Sequence, residues 1–262
     1  MIKILEEIFK ILEEEEDIID LGIIEWSTPI PYFGNFNNAK IATVGINPSN
    51  REFTDSNNEV LKNSRFHTLE SLNLDNWNEI SEIHLSKILD ACNQYFENNP
   101  YSQWFNKLEF LLSDTSYSYY FPLSNVCHLD LIPFATLKKW SNLSIKNQKN
   151  LLNKCADILG DIINESKLEY IILNGTTVIS TFEKVSSISL DKNLQETWQL
   201  NRVNGAPVLG YSFTGILNKI GNVDLNREIK LIGFNHNIQS SFGITKHVML
   251  NIKNWINTQI TS

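Results

Sequence analysis

The chain has 262 residues, with 22 Lys+Arg against 30 Asp+Glu and a net charge of −8, which excludes a whole-surface nucleic-acid clamp but not a local basic groove. At roughly 150 residues per domain it makes one large domain or two small ones. A hydrophobic fraction of 42% with 11% aromatics excludes global disorder.

In chain order, residues 2–20 read as an amphipathic helix with Ile4, Ile8, Ile11 and Leu12 on one face and Glu13 to Glu16 as its solvated side. This segment, about 1–22, is expected to be a helical extension of a single domain spanning 1–262. Its acidic run excludes a signal peptide. Lys40 to Ile46 is a β-rich run that ends in a Gly/Asn/Pro/Ser turn. Residues 50–65 are polar and loop-like. Residues 77–98 and 101–112 carry helical spacing, broken at Pro100.

Ser124 to Ile132 is a second strand, closed by Pro133. Residues 144–166 form a helix that turns Leu151, Leu152, Ala156, Ile158, Leu159 and Ile162 inward. Tyr170 to Leu173 is a third strand, followed by Asn174-Gly175 and a short helix. Two β-like runs around Asn204-Gly205 suggest a hairpin. The last strand is Ile229 to Phe234, with a C-terminal helix over roughly 244–258. Strands alternating with helices imply a three-layer α/β fold, with a mainly parallel central sheet and helices on both faces.

Cys92, Cys127 and Cys155 are widely spaced, with no CxxC pair and no zinc pattern. Four-cysteine iron–sulfur ligation is impossible within one chain. Free thiols in a reducing cytoplasm are expected, with no metal and no cofactor. No stretch has the length and apolarity of a membrane span.

In parallel sheets ligands sit outside the carboxyl ends of the strands. Three strand ends here carry polar residues. The first is Gly45-Ile46-Asn47-Pro48-Ser49, where Gly permits close backbone approach, Pro stiffens the loop and Asn offers a neutral amide. An ordinary Asn-Pro turn has the same composition. The second is Asn125 to Leu131. Alternation puts His128 and Asp130 on one face, Cys127 and Leu129 on the other. A carboxylate among apolar neighbours needs a partner, and Lys138 or Lys139 would supply one. His128 fits a structural role as well as a catalytic one. The third is Gly233 to Gly243, with His236, Asn237, Gln239, Ser240 and Ser241 ahead of a helix. Small polar residues there suit an anion or leaving group; a plain Ser N-cap is the simpler role.

In this order the three segments resemble the uracil-DNA glycosylase superfamily over roughly residues 29–258. Its first motif has the form Gly-x-Asn-Pro-Gly or Gly-x-Asp-Pro-Tyr. A base-reading Asn follows at the end of a middle strand, and a His-Pro-Ser-like loop lies near the C-terminus. Asn47-Pro48, Leu129-Asp130 and His236 to Ser241 stand at the matching places; in the third motif Pro and the usual Ser positions are altered.

The resemblance implies a monofunctional DNA N-glycosylase with a uracil-DNA glycosylase-like fold. The base leaves the stack and enters a pocket. Asn47 would hold the attacking water through its carbonyl, and His236 would stabilise the departing base. Ser49, Ser240 and Ser241 would contact phosphates flanking the flipped nucleotide. Gln239 or Ser240 would fill the vacated stack. Phe33, Phe53 or Phe66 would stack on the base. Where the family has a base-reading Asn, this chain has Asp130. An ionised Asp only accepts hydrogen bonds, so it repels uracil O4 and suits the amino group of a cytosine.

A modified cytosine, such as glucosylated hydroxymethylcytosine of phage DNA, is therefore the expected target, and anti-phage defence the expected setting. Lys138, Lys139, Lys146, Lys149 and Lys154, with Trp140 among them, would supply a local positive face. DNA, duplex or single-stranded, is the expected partner of a monomer. The alternatives are a repair glycosylase for uracil or another deaminated base, a non-catalytic binding module, and a small-molecule hydrolase. The chain lacks a Gly-x-Ser-x-Gly elbow and a Gly-rich phosphate loop, which weakens the last.

Overall fold

A computed structural model describes residues 1–14, 21–202, 205–239 and 243–261. Six strands form one sheet: β1 (Ile41–Gly45), β2 (Val126–Asp130), β3 (Tyr170–Asn174), β4 (Asp191–Leu200), β5 (Val208–Ile220) and β6 (Val223–Phe234). Their order is β2-β1-β3-β6-β5-β4. The pairs β1–β2, β1–β3 and β3–β6 are parallel. The pairs β4–β5 and β5–β6 are antiparallel. All five residues of β1 and of β2 are buried, as strands covered on both faces must be.

The long helices are α1 (Ile2–Glu14), α2 (Glu82–Asn93), α3 (Ser102–Leu112), α4 (Ile145–Glu165), α5 (Thr176–Ser186) and α6 (Lys246–Thr261). Strand parity assigns them to two faces. On β6, a side chain at Gly233 would meet Ile179 of α5. Three residues earlier, on the opposite face, Lys230 Nζ donates to Gln259 O of α6 at 2.7 Å. Tyr170 on β3 shares that second face and donates to Ile260 O at 3.0 Å. Helix α4 lies with α5, and α3 with α6. Lys253 of α6 clamps the second pair, 2.9 Å from Asp114 just beyond α3.

Helix α1 packs on α4 and α2 through Leu5, Ile8, Phe9 and Leu12. The Phe9 and Trp77 ring centroids lie 5.2 Å apart. One buried apolar cluster runs from Ile4 to Ile260. Residues 15–20, which include Glu15 and Glu16 of the acidic run, lie outside the described residues. Among the described residues, no helix is long and apolar enough to cross a membrane.

The antiparallel half is larger than the sequence pattern predicts. Strand β6 begins at Val223, six residues before the expected Ile229. The cause is a second tight turn, at Gly221, that folds β6 back on β5. Gly221 has φ +56°, and a Cβ there would overlap Asp157 Oδ1. The alternation at the start of β6 is short, Val223 and Leu225 broken by Arg227, and only Leu225 is buried between Val223 and Glu228. The hairpin expected around residues 204–205 joins β4 to β5, though Asn204 lies outside the described residues.

Candidate functional site

Strands β1 and β2 lie in parallel register with Gly45 opposite Asp130. A Cβ at Gly45 would overlap Asp130 Oδ1 and lie 3.0 Å from His128 Nε2. Gly45 is thus needed for the neighbouring carboxylate, which is a different demand from close approach to a ligand. His128 and Asp130 share a face, with His128 Nε2 3.4 Å from Asp130 Oδ1. The other ring nitrogen of His128 bonds Thr43 Oγ1 at 2.7 Å. Trp104 and Phe105 of α3 stand against the imidazole at 4.9 and 5.3 Å. His128 is therefore held by Thr43 and by aromatic rings beside Asp130. Asp130 is 7% exposed and pairs with His128, not with Lys138 or Lys139.

Beyond Gly45 the chain turns, and Asn47 Nδ2 donates to Thr136 Oγ1 at 3.0 Å, Pro48 O at 3.1 Å and Phe134 O at 3.4 Å. These bonds fix the amide and leave its carbonyl oxygen to offer. Asn47 and Asp130 line one cavity of about 60 Å³ with Phe33, Trp104, His128 and Glu52. At about 10–15 Å³ per water, that is room for a few waters or one small flat group.

A wider cleft of about 1010 Å³ shares Asn47, Pro48, Ser49, Tyr101 and Trp104 with this cavity, so the small site lies against the large one. Lys138, Lys139 and Arg51 line the cleft, and no carboxylate does so among the described residues. Arg51 Nη1 is buried with no hydrogen-bond partner among the described residues. Trp140 adds an aromatic face. A basic, aromatic groove thus exists locally in a chain of net charge −8. Lys146, Lys149 and Lys154 belong to α4 and are not among its lining residues.

Glu52 was not among the residues that the sequence pointed to. A short 3-10 turn, Asn50–Glu52, is capped by Ser49, whose Oγ accepts from Arg51 N at 3.2 Å. The turn swings Glu52 inward to 3% exposure. Tyr95 donates its hydroxyl to Glu52 Oε2 at 2.8 Å. Burial pushes the Glu52 carboxyl up to about 7; the Tyr95 hydrogen bond and Arg65 pull against that, and the Asp130 charge adds to it. In sequence, Ser49-Asn50-Arg51-Glu52 has capping-box spacing, which points to a solvated turn and hides the carboxyl.

The remaining expectations divide. Phe33 lines the small cavity. Phe53 and Phe66 are not among its lining residues; they pack behind it, with Phe66 5.3 Å from Phe33 and stacked on Tyr95 at 5.2 Å. Ser49 is exposed and lines both cavity and cleft. Gln239 lines the cleft, but its side chain is tied to Asn174 Nδ2 and reaches Trp104 O at 3.5 Å. It is anchored to the fold and does not project for insertion into a base stack. Ser240 and Ser241 lie outside the described residues.

His236 is not brought to this site. Its Nε2 bonds the Trp198 carbonyl of β4 at 2.7 Å, and the residue lines a different cavity, with Thr176 and Arg202, that meets the wide cleft at Asn237 but shares no lining residue with the small one. Burial holds its pKa below the usual histidine value. A carbonyl partner makes Nε2 the protonated nitrogen, which is a structural bond and not a donor to a base beside Asn47. Asn237, the next residue, is the one that faces the cleft.

Among the described residues, no group of three or more His, Cys, Asp or Glu is placed to hold a metal ion. No family model matches the chain, and no curated protein matches it.

Proposed function

We propose that the chain is a DNA glycosylase that accepts a flipped base, excises it with water and leaves an abasic site. One observation carries this reading. A pinned Asn47 amide and a buried Asp130 carboxylate share a small aromatic-walled cavity that lies against a cleft lined by Arg51, Lys138 and Lys139. The cations suit a phosphate backbone, and the cavity suits one base out of the stack.

In this reading the Asn47 carbonyl orients the water that attacks C1′ of the sugar. Asn47 is neutral and takes no proton, so the reaction depends on how easily the base departs. Asp130 accepts from the amino group of a cytosine-type base. A bulky sugar on that base exceeds a cavity of about 60 Å³ and would extend into the cleft of about 1010 Å³. A modified cytosine is accordingly the proposed target, and removal of modified phage bases the proposed use. The other orientation of His236 favours a second reading, a binding module without catalysis.

Abasic-site formation on matched DNAs carrying uracil, cytosine, hydroxymethylcytosine or glucosylated hydroxymethylcytosine separates these. Alkali-labile breaks at a modified cytosine, lost in Asn47→Ala, are expected. Asp130→Asn, which can donate as well as accept, is expected to shift preference toward uracil by about 10–100-fold, the 1–3 kcal/mol of one well-made base contact. Uracil release by the wild type would sink the role given to Asp130. No release from any of the DNAs would favour the binding module.

A further inference from the structure

Two carboxyl groups face one small cavity, and the reading above uses only Asp130. Glu52 lines it together with the aromatic residues Phe33, Trp104 and Phe105. A buried carboxylate needs partners. Among the described residues, the hydrogen bond its side chain receives is the one from Tyr95 to Oε2. That hydroxyl is fixed in turn by the Tyr101 amide at 2.9 Å. Arg65 stands 3.9 Å away, with Nε and Nη1 donated to the carbonyls of Asn99 and Arg51 at 2.8 and 2.6 Å. Oε2 is thus held, and Oε1 is the oxygen left for the cavity.

Two carboxyls at one apolar site do not both ionise readily. His128 Nε2 lies 3.4 Å from Asp130 Oδ1, whereas Glu52 is enclosed at the same cavity with Tyr95 as its hydrogen-bond donor, and burial favours its protonated form. The charged and titratable groups around Glu52 are Arg65, Asp130, Tyr95, Tyr101 and His128. With burial lifting Glu52 to about 7, the acid form is well populated at neutral pH.

We propose that Glu52, as the neutral acid, gives its proton to the departing base, a role that rests on the glycosylase reading. The C1′–N1 bond breaks and its electron pair goes to the base. The proton moves from Glu52 Oε1 to N3 or O2 of the ring. The water at Asn47 adds its oxygen to C1′, its surplus proton leaves to solvent, and Glu52 is reprotonated from there. The pair also fits one base edge. A carboxylate for the amino group beside a carboxylic acid for the neighbouring acceptor matches cytosine and mismatches uracil.

The test follows base release by wild type, Glu52→Gln and Asn47→Ala from about pH 5 to about pH 9, the range around the acid's own pKa. It uses DNA carrying the released base and its 6-aza analogue, which keeps the C5 substituent and departs with less need of a proton. The wild-type rate is expected to fall as pH rises through about 7. Glu52→Gln, shown to be folded by a cooperative melting transition, is expected to lose about 10²–10⁴-fold and to lose that alkaline limb. Its deficit is expected to shrink on the 6-aza base. An unchanged rate overturns the proposal, as does an equal deficit on both bases with the limb retained. If Glu52→Gln does not fold, the wild type decides, since a rate that does not fall through that range overturns it. Wild type inactive on every DNA fails the glycosylase reading itself, and this inference with it.

Discussion

The ends of β1 and β6 both run from a buried strand into a polar loop, yet their side chains go to different places. At β1, Gly45 makes room for Asp130, and the turn aims Asn47 into a cavity shared with that carboxylate. At β6, the ring of His236 turns back to the carbonyl of Trp198. Asn235 does the same, its side chain taking Tyr211 N at 2.7 Å and giving to Leu209 O at 2.8 Å. The difference lies in the neighbours. β1 lies between two parallel strands, β2 and β3, and its loop turns outward to line the cleft. β6 is flanked by the antiparallel β5, and β4 beyond it offers an open carbonyl that captures the histidine.

The sharpest break in this comparison comes from Glu52, the added carboxyl at the β1 end. Its pKa rises from 4.5 to about 7 on folding, so the folded chain binds the extra proton. A raised acid contributes stability that is fully present below 4.5 and is lost as pH rises through about 7. The shift corresponds to an upper limit on the order of 3 kcal/mol. Urea unfolding at intervals from acid to mildly alkaline pH is expected to show wild type losing stability relative to Glu52→Gln across that window. A constant difference would mean that Glu52 is solvated and that the cavity is not the dry site inferred from it.

A smaller effect separates the two strand ends directly. Gly45→Ala puts a methyl group on Asp130 Oδ1, whereas the same change at Gly233 of β6 meets Phe213 Cβ at 3.2 Å, tight but without overlap. Gly45→Ala is expected to cost about 1–3 kcal/mol and Gly233→Ala less. Adding Asp130→Gly to Gly45→Ala is expected to restore part of the loss, as a double-mutant cycle would reveal. Equal costs at the two glycines would show that Asp130 moves aside freely.

Much of the scaffold was legible. The three short parallel strands, α4 and α6 all lie within a few residues of their sequence patterns, because each buries a continuous or strongly periodic apolar set. The parity of His128 and Asp130 followed from β alternation. Long-range capture was not legible. The partner of His236 is a backbone carbonyl on β4, a strand with a single buried residue and so without an inward-facing pattern. Glu52 was hidden because it sits in a loop, where periodicity says nothing and direction comes from Tyr95, 43 residues away in sequence. Asn47 and Asp130 were visible as types and positions; that they share a cavity needed the register of β1 on β2.

The least disruptive variant, His236→Gln, tests whether the β6 end is structural. A glutamine amide can still donate to the Trp198 carbonyl, so the buried acceptor need not be orphaned. A neutral hydrogen bond of this kind is worth about 0.5–1.5 kcal/mol, and under the proposed glycosylase function the rate of base release is expected to change by less than about tenfold, the rate equivalent of the upper end of that range. The variant should also alter acid sensitivity. The folded pKa of His236 lies below its ordinary 6.5, so the unfolded chain binds the extra proton. The stability linked to it is present above 6.5 and is lost as pH falls through the lower folded value. Melting curves at falling pH are expected to show wild type losing stability that His236→Gln keeps. This slope is opposite in sign to that of Glu52, so the two strand ends can be told apart in one pH series. A large fall in the rate of base release, with melting unchanged, would instead return His236 to the chemistry and require the β6 loop to swing toward Asn47 when DNA binds.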